Sequence, residues 1–185
     1  MTHLPASGVA SDVPRFVTVG HSTRSLAELV ALLRAHGVRA VADVRRFPAS
    51  RRHPHLAAAP LAAALVEAGL LYRHLPALGG RRRPRPDSPH TAWRQPGFRG
   101  YADHMETAEF AAGLAALVEL AATRPPVALL CAEAAWWRCH RRLIADALVV
   151  RGEPVAHLLD PRRRALHRLP AFARVTGGRL LYAAP

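Results

Sequence analysis

Residues 127–142 read VALLCAEAAWWRCHRR, and the change of period along this stretch decides the fold. Val127 to Leu130 is an unbroken apolar run of strand length just after Pro125 and Pro126, the pattern of a strand buried on both faces in a parallel sheet. Downstream, Cys139, Leu143, Ala147 and Val150 share one apolar stripe at helical spacing. The stretch is therefore a strand-to-helix junction. In α/β proteins ligands occupy the crevice beyond the carboxyl ends of the strands. Cys131, Glu133, Trp136, Trp137, Arg138, Cys139, His140 and Arg141 all fall in that position.

Working outward, the same alternation repeats. Phe16 to Val19 is an apolar run that stops at Gly20, His21 and Ser22, and Ser25 with Glu28 has capping-box spacing ahead of Leu26, Leu29, Val30 and Leu33. Val38 to Val44 predicts a second strand, with Asp43 near its end and Arg45 and Arg46 just beyond. A loop carrying Arg51, Arg52, His53 and His55 leads to a short helix over Leu61 to Ala68 and a strand over Leu70 to Leu75. Residues 79–99 read as a long Arg/Pro-rich loop in which Arg81, Arg82, Arg83 and Arg85 suit phosphates and Trp93 or Phe98 a stacked base, or in which Trp93 simply pins the loop. Tyr101 to Met105 predicts one helical turn, and Thr107 opens a helix with Phe110, Leu114 and Leu117 inward. Val155 to Leu159 is another strand, Arg162 to Arg164 a solvated charge cluster, and Ala173 to Tyr182 two β-prone arms joined by Gly177 and Gly178. The expected fold is α/β, a mainly parallel sheet flanked by helices with a C-terminal β-hairpin on the edge. Residues 1–14 are expected to be a flexible tail and 15–185 a single domain.

With 185 residues the chain is long enough for a core without disulfides. Its formal charge is +13, which favours an anionic ligand, DNA and RNA among the options. Codon bias is the competing explanation, because all 26 basic residues are arginine. Two cysteines exclude a disulfide framework. The N-terminal stretch lacks the pattern of a signal peptide and no run reaches membrane-span length, so a cytoplasmic protein with no membrane partner is expected. No cofactor is implied, and the letters leave the oligomeric state open.

If the strand ends share one edge, His21, Ser22, Asp43, Arg45, Cys131 and Glu133 converge. Asp43 and Glu133 form a candidate acid/base pair of the kind that cleaves glycosidic or N-glycosidic bonds. An internal ion pair with Arg45 or Arg46 is the competing reading for Asp43. His21 and His140 are candidate proton carriers. Arg45, Arg46, Arg51, Arg138 and Arg141 are candidate anion holders, with Ser22, Tyr101, Trp136 and Trp137 as further substrate contacts. Arg142 has i,i+4 spacing to Asp146, which suits a surface pair. Cys131 is the candidate nucleophile, because a following helix start lowers a thiol pKa. A thiol-phosphatase loop is excluded, since the sixth residue after Cys131 is Trp137 and not arginine. No CxxC or HxxxH pair supports a zinc site, and Cys139 reads as core on its apolar stripe.

These segments together carry a resemblance. VGHSTRS (residues 19–25), ADVRRFP (42–48), Ser50 to Arg52, LGG (78–80), GFRGYADHM (97–105) and CAEAAWWRCHRRLIAD (131–146) resemble the bacterial family catalogued as domain of unknown function 488. The resemblance implies a cytoplasmic α/β domain with these motifs in one site, and it brings no activity with it. The function expected from the residues is a hydrolase or lyase acting on a nucleotide or nucleic-acid base. The alternatives are a non-enzymatic nucleic-acid-binding protein and a thiol- or metal-dependent enzyme centred on Cys131, Cys139 and His140.

Overall fold

The structure, a computed structural model, describes residues 13–49 and 51–183, so all but the last two positions of the expected tail lie outside the described residues. Strands β1 (Phe16–Gly20), β2 (Ala40–Asp43), β3 (Leu71–His74), β4 (Val127–Cys131), β5 (Val155–Asp160) and β6 (Arg163–Leu166) form one sheet in the order β3-β2-β4-β1-β5-β6. The first five in that order run parallel, and β6 returns antiparallel along β5. The run expected to be solvated charge is thus an edge strand. Asp160 shapes the turn by accepting from the backbone of Arg162 and Arg163 at 2.8 and 2.9 Å. The exposed Arg163 on the edge discourages pairing with another chain.

Helix α1 (Leu26–Ala35) starts where the capping box predicts, with the Ser25 amide donating to Glu28 Oε2 at 2.7 Å and the Glu28 amide to Ser25 Oγ at 3.2 Å. It packs with α2 (Ala58–Glu67) on one face of the sheet, over Val17, Val19, Val41, Ala128 and Leu130. Helices α3 (Pro96–His104), α4 (Ala108–Thr123) and α5 (Arg141–Val150) contribute to the core on the other face, over Phe16, Ala42, Leu129 and Cys131. The period of two along each strand assigns every side chain to one face or the other. β1 and β4 are neighbours, yet α1 leaves β1 over one face while α5 follows β4 over the other. That divergence opens a crevice between their carboxyl ends, the topological switch point of such sheets.

The long loop is ordered by its own charges. Arg82 makes a two-pronged pair with Glu109 at 3.0 and 2.9 Å, and Arg85 reaches Glu106 at 2.6 Å. Its last residues are already helical, because α3 begins at Pro96, five residues before the expected turn. Trp93 is buried against Phe98, Phe172 and Tyr182, so it pins the loop and is not free to stack on a base. Strands β7 (Ala173–Thr176) and β8 (Arg179–Tyr182) form the expected hairpin, but as a separate two-stranded sheet and not on the edge of the six-stranded one, where β3 and β6 lie.

Tyr182 ends a buried polar chain. Its hydroxyl donates to Asp146 at 2.7 Å, and His167 Nε2 donates to the other Asp146 oxygen at 2.7 Å. His157 Nε2 then donates to His167 Nδ1 at 3.0 Å, and Thr18 donates to His157 Nδ1 at 2.7 Å. One assignment of protons satisfies every link with both imidazoles neutral. Burial, with His167, Arg141 and Arg142 adding to it, pushes His157 down to a pKa of about 3. Asp146 is therefore committed inside the protein, and Arg142 lies over the Trp93 ring at 5.0 Å in place of the expected pair with Asp146. Among the described residues no helix is long and apolar enough to cross a membrane.

Candidate active site

Past Gly20 the β1–β4 ladder continues for two more bonds, His21 N to Cys131 O and Ser22 N to Ala132 O, both 2.9 Å. This continuation needs a bare Cα at residue 20, since a Cβ there would lie 2.0 Å from the Glu133 carbonyl oxygen. Arg141 holds the same turn from the other side, donating to the carbonyls of Glu133 at 2.6 Å and Ala134 at 2.9 Å. Buried and committed to these carbonyls, Arg141 is a structural tie and not the anion holder expected from sequence.

The expected carboxylate pair does not form. Asp43 is fully buried and accepts from Arg45 Nε at 2.9 Å, Arg45 Nη2 at 2.6 Å, the Arg45 amide at 3.1 Å and the Tyr72 hydroxyl at 2.8 Å. Strand parity explains this. Ala42 and Val44 face the Cys131 side of the sheet, so Asp43 faces the other. Glu133 is exposed and accepts from the Ala135 amide at 3.1 Å. It borders a cavity that Asp43 does not reach.

Arg45 is likewise largely committed, with Nη1 donating to the Leu56 carbonyl at 2.7 Å and to His21 Nε2 at 3.2 Å. His21 therefore accepts at Nε2 and donates from Nδ1 to the Ser22 carbonyl at 3.0 Å. Burial holds the imidazole below its usual pKa, and Arg45 adds to the effect. His21 is a neutral wall of the pocket whose lone pair is already taken.

Tyr101 is fully buried, and its hydroxyl donates to the Leu78 carbonyl at 2.7 Å, which rules out the expected substrate contact. His104 donates to the Ala77 carbonyl at 2.8 Å. Together they fix the 3-10 turn Pro76–Leu78, which delivers Gly79 and Gly80 to the site. Trp136 stacks flat on His157, with centroids 3.9 Å apart, so it covers the end of the sheet; Trp137 is exposed and meets Trp136 edge-on. Arg51 is exposed and borders neither cavity described below.

The chemistry gathers elsewhere. Cys131 at the end of β4, Cys139 after the 3-10 turn Trp136–Arg138, and His140 at the start of α5 bring their donor atoms within 4.8 Å of one another. Cys139, buried as its stripe predicts, also points its sulfur at this cluster. His140 Nδ1 lies 3.9 Å from Cys131 Sγ and 3.7 Å from Cys139 Sγ, while Nε2 donates to the Val44 carbonyl at 2.9 Å. That donation leaves the Nδ1 lone pair facing the sulfurs, as the acceptor for a thiol proton. The Cys139 thiol and then His140 hold Cys131 well below the ordinary thiol range, while the same contact and burial push Cys139 up. The pair thus loses its first proton easily and its second with difficulty.

Two cavities meet at this cluster. One, of about 360 Å³, is walled by His21, Arg45, Arg46, Phe47 and His53; the other, of about 620 Å³, by Gln95, Phe98, Glu133, Arg138 and Cys139. Ser22, Arg81, Cys131, Ala132 and His140 border both. Arg46, Arg81 and Arg138 make no ion pair among the described residues, so their charge is available at the mouth. Sequence reasoning passed over Gly80, whose absent side chain leaves room against His140: a Cβ there would sit 2.7 Å from Nδ1. Its only signal was the LGG segment.

These features define an α/β domain of the open, mainly parallel type with a two-thiol, one-imidazole centre at its switch point. The family described as Domain of unknown function DUF488 matches over residues 25–148, and the chain belongs to it. No curated protein and no solved structure matches the chain.

Proposed function

We propose that the chain is an enzyme, a hydrolase or lyase, that acts on an anion-bearing substrate of nucleotide type at the Cys131–Cys139–His140 centre. The observation that carries this reading is the position of Cys131. It is buried to 8% relative exposure, yet it borders both cavities, beside an imidazole nitrogen whose lone pair faces its sulfur. Arg46, Arg81 and Arg138 supply guanidinium groups for phosphate or carboxylate. Phe98 and Gln95, an aromatic ring and an amide of the kinds that recognise a base, line the larger cavity. The acid/base roles first given to Asp43 and His21 fall away, which leaves Glu133 as the carboxylate bordering the centre.

The test is turnover. Purified protein is incubated with nucleosides, nucleoside phosphates and short oligonucleotides, and products are read by mass spectrometry. A product made by the wild type and absent with Cys131→Ser supports the proposal; thermal stabilisation by these compounds without any product sinks it and leaves a binding module.

A second reading, a non-enzymatic nucleic-acid-binding protein, rests on the groove lined by Arg46, Arg81, Arg82, Arg83 and Arg85. Arg82 and Arg85 already serve acidic partners, which weakens the groove's claim on phosphates. Retention of oligonucleotide that falls with log salt, at a slope of about −0.7 to −0.9 per neutralised phosphate, supports this second reading.

A further inference from the structure

We infer that Cys131, Cys139 and His140 are the three protein ligands of a mononuclear site for a thiophilic divalent metal ion of the zinc class, with one coordination position open to the cavities. The inference rests on the reading above that this cluster is the working centre, and it names what the centre holds.

The spacing carries it. With Zn–S of about 2.3 Å and Zn–N of about 2.0–2.1 Å, a tetrahedral site places its sulfur and nitrogen donors about 3.6 Å apart. The observed sulfur to Nδ1 distances are 3.9 and 3.7 Å, and the donors all fall within 4.8 Å of one another. Hydrogen bonding explains one part of this, with the Cys139 thiol donating to Cys131 and the Cys131 thiol to Nδ1. Nδ1 has one lone pair, yet two sulfurs converge on it. A cation at the shared focus satisfies all three donors at once.

The surroundings fit a ligand set. Metal-binding imidazoles characteristically donate their other nitrogen to a carbonyl, which fixes tautomer and ring orientation, and His140 does so to Val44 at 2.9 Å. Two thiolates balance a divalent charge, so the buried site is neutral when filled. Gly80 keeps the approach to Nδ1 clear of a side chain. Consecutive residues act together because the backbone changes from extended at Cys139 to helical at His140. The resulting pattern contains neither CxxC nor HxxxH, so spacing motifs do not detect it.

Three protein ligands facing a cavity make a catalytic arrangement and not a closed structural one. Zinc there lowers the pKa of a bound water to about 7 and polarises an oxygen of the substrate. Glu133, on the turn between β4 and the 3-10 turn, is the carboxylate that borders the larger cavity beside the three donors.

The experiment is a metal analysis of the purified full chain, followed by chelation and titration with cobalt(II), which reports thiolate coordination by its charge-transfer and tetrahedral d–d absorption. One equivalent of zinc, one equivalent of cobalt with these bands, and a loss of affinity of roughly tenfold or more in Cys131→Ser, Cys139→Ser and His140→Ala are expected. Circular dichroism reports whether each variant folds. Protection of both wild-type cysteines from alkylation by added zinc gives a readout that needs no variant. Bands that persist in all three variants overturn the inference. So does a chain that takes up no metal while both thiols alkylate freely or close into a disulfide. In that case, turnover that still requires Cys131 shows that only the metal has failed; loss of both shows that the centre itself was misassigned.

Discussion

His140 Nε2 donates to the carbonyl of Val44 at 2.9 Å, across 96 positions of sequence. The end of β2 thereby sets which nitrogen of the imidazole faces the sulfurs. The bond fixes the tautomer and the orientation of the imidazole within the cluster.

Glycine at 80 guards the other side of that ring. In Gly80→Ala the added methyl lies 2.7 Å from Nδ1, whereas in Gly20→Ala it lies 2.0 Å from a backbone oxygen held by Arg141. Cobalt titration of Gly80→Ala is expected to show at least about tenfold weaker binding in a folded protein. Gly20→Ala should be the less stable of the two in urea, by about 1–3 kcal/mol or more relative to wild type. Unchanged cobalt affinity in Gly80→Ala contradicts the steric role.

The Asp43–Arg45 link is structural, so removing one partner strands a buried charge. Asp43→Asn is expected to lose about 3–5 kcal/mol of stability in urea unfolding. The double variant Asp43→Leu/Arg45→Met should lose less than the sum of the single losses. An Asp43→Asn protein with full stability and no turnover would restore this residue to catalysis.

Acid should weaken the fold through its neutral histidines. The native pKa of His157 is about 3 against 6.5 for a free imidazole, so between those values the unfolded chain binds more protons than the native one. Stability is therefore complete above about pH 7 and falls as pH drops, by at most about 1.4 kcal/mol per pH unit for this group. His21, His90 and His104, all held low chiefly by burial, act in the same direction. Urea midpoints measured from about pH 7.5 down to about pH 5 should decline, and less steeply in His157→Gln. Equal slopes in the two proteins would remove His157 from the account.

Trp93 separates packing from base stacking. Trp93→Ala is expected to cost about 3–5 kcal/mol by denaturant unfolding, as for any large aromatic removed from a core. Any oligonucleotide affinity should be unchanged in the fraction that remains native. A stable Trp93→Ala protein with weakened binding would reverse the assignment.

The alternation of strand and helix was legible because burial on both faces and helical periodicity leave separate signatures, and Ser25 and Glu28 marked one helix start to the residue. Strand β6 was not, because its arginines read as solvent while their backbone closes a sheet edge. In the site, the meeting of His21, Ser22, Cys131 and His140 followed from the strand-end rule. Asp43 did not join them because it lies on the opposite parity to Ala42 and Val44, a fact available in the letters. Arg45, Arg141 and Tyr101 were misread for another reason. A guanidinium or phenol aimed at a substrate and one aimed at an internal carbonyl look alike until the carbonyl's position is known. Cys139 satisfied a helical stripe and a sulfur cluster at once, and periodicity reports only the first.

The close approaches at Gly20 and Gly80 also limit how this site can diversify. Enlarging either residue pushes on the Glu133 carbonyl or the His140 ring, so change on that inner side disturbs the cysteine–histidine cluster. Gln95, Phe98 and His53 line the outer wall, where a new side chain alters the shape of the opening and leaves the centre untouched. The shape of the opening is therefore free to vary through its outer wall while the innermost positions stay small.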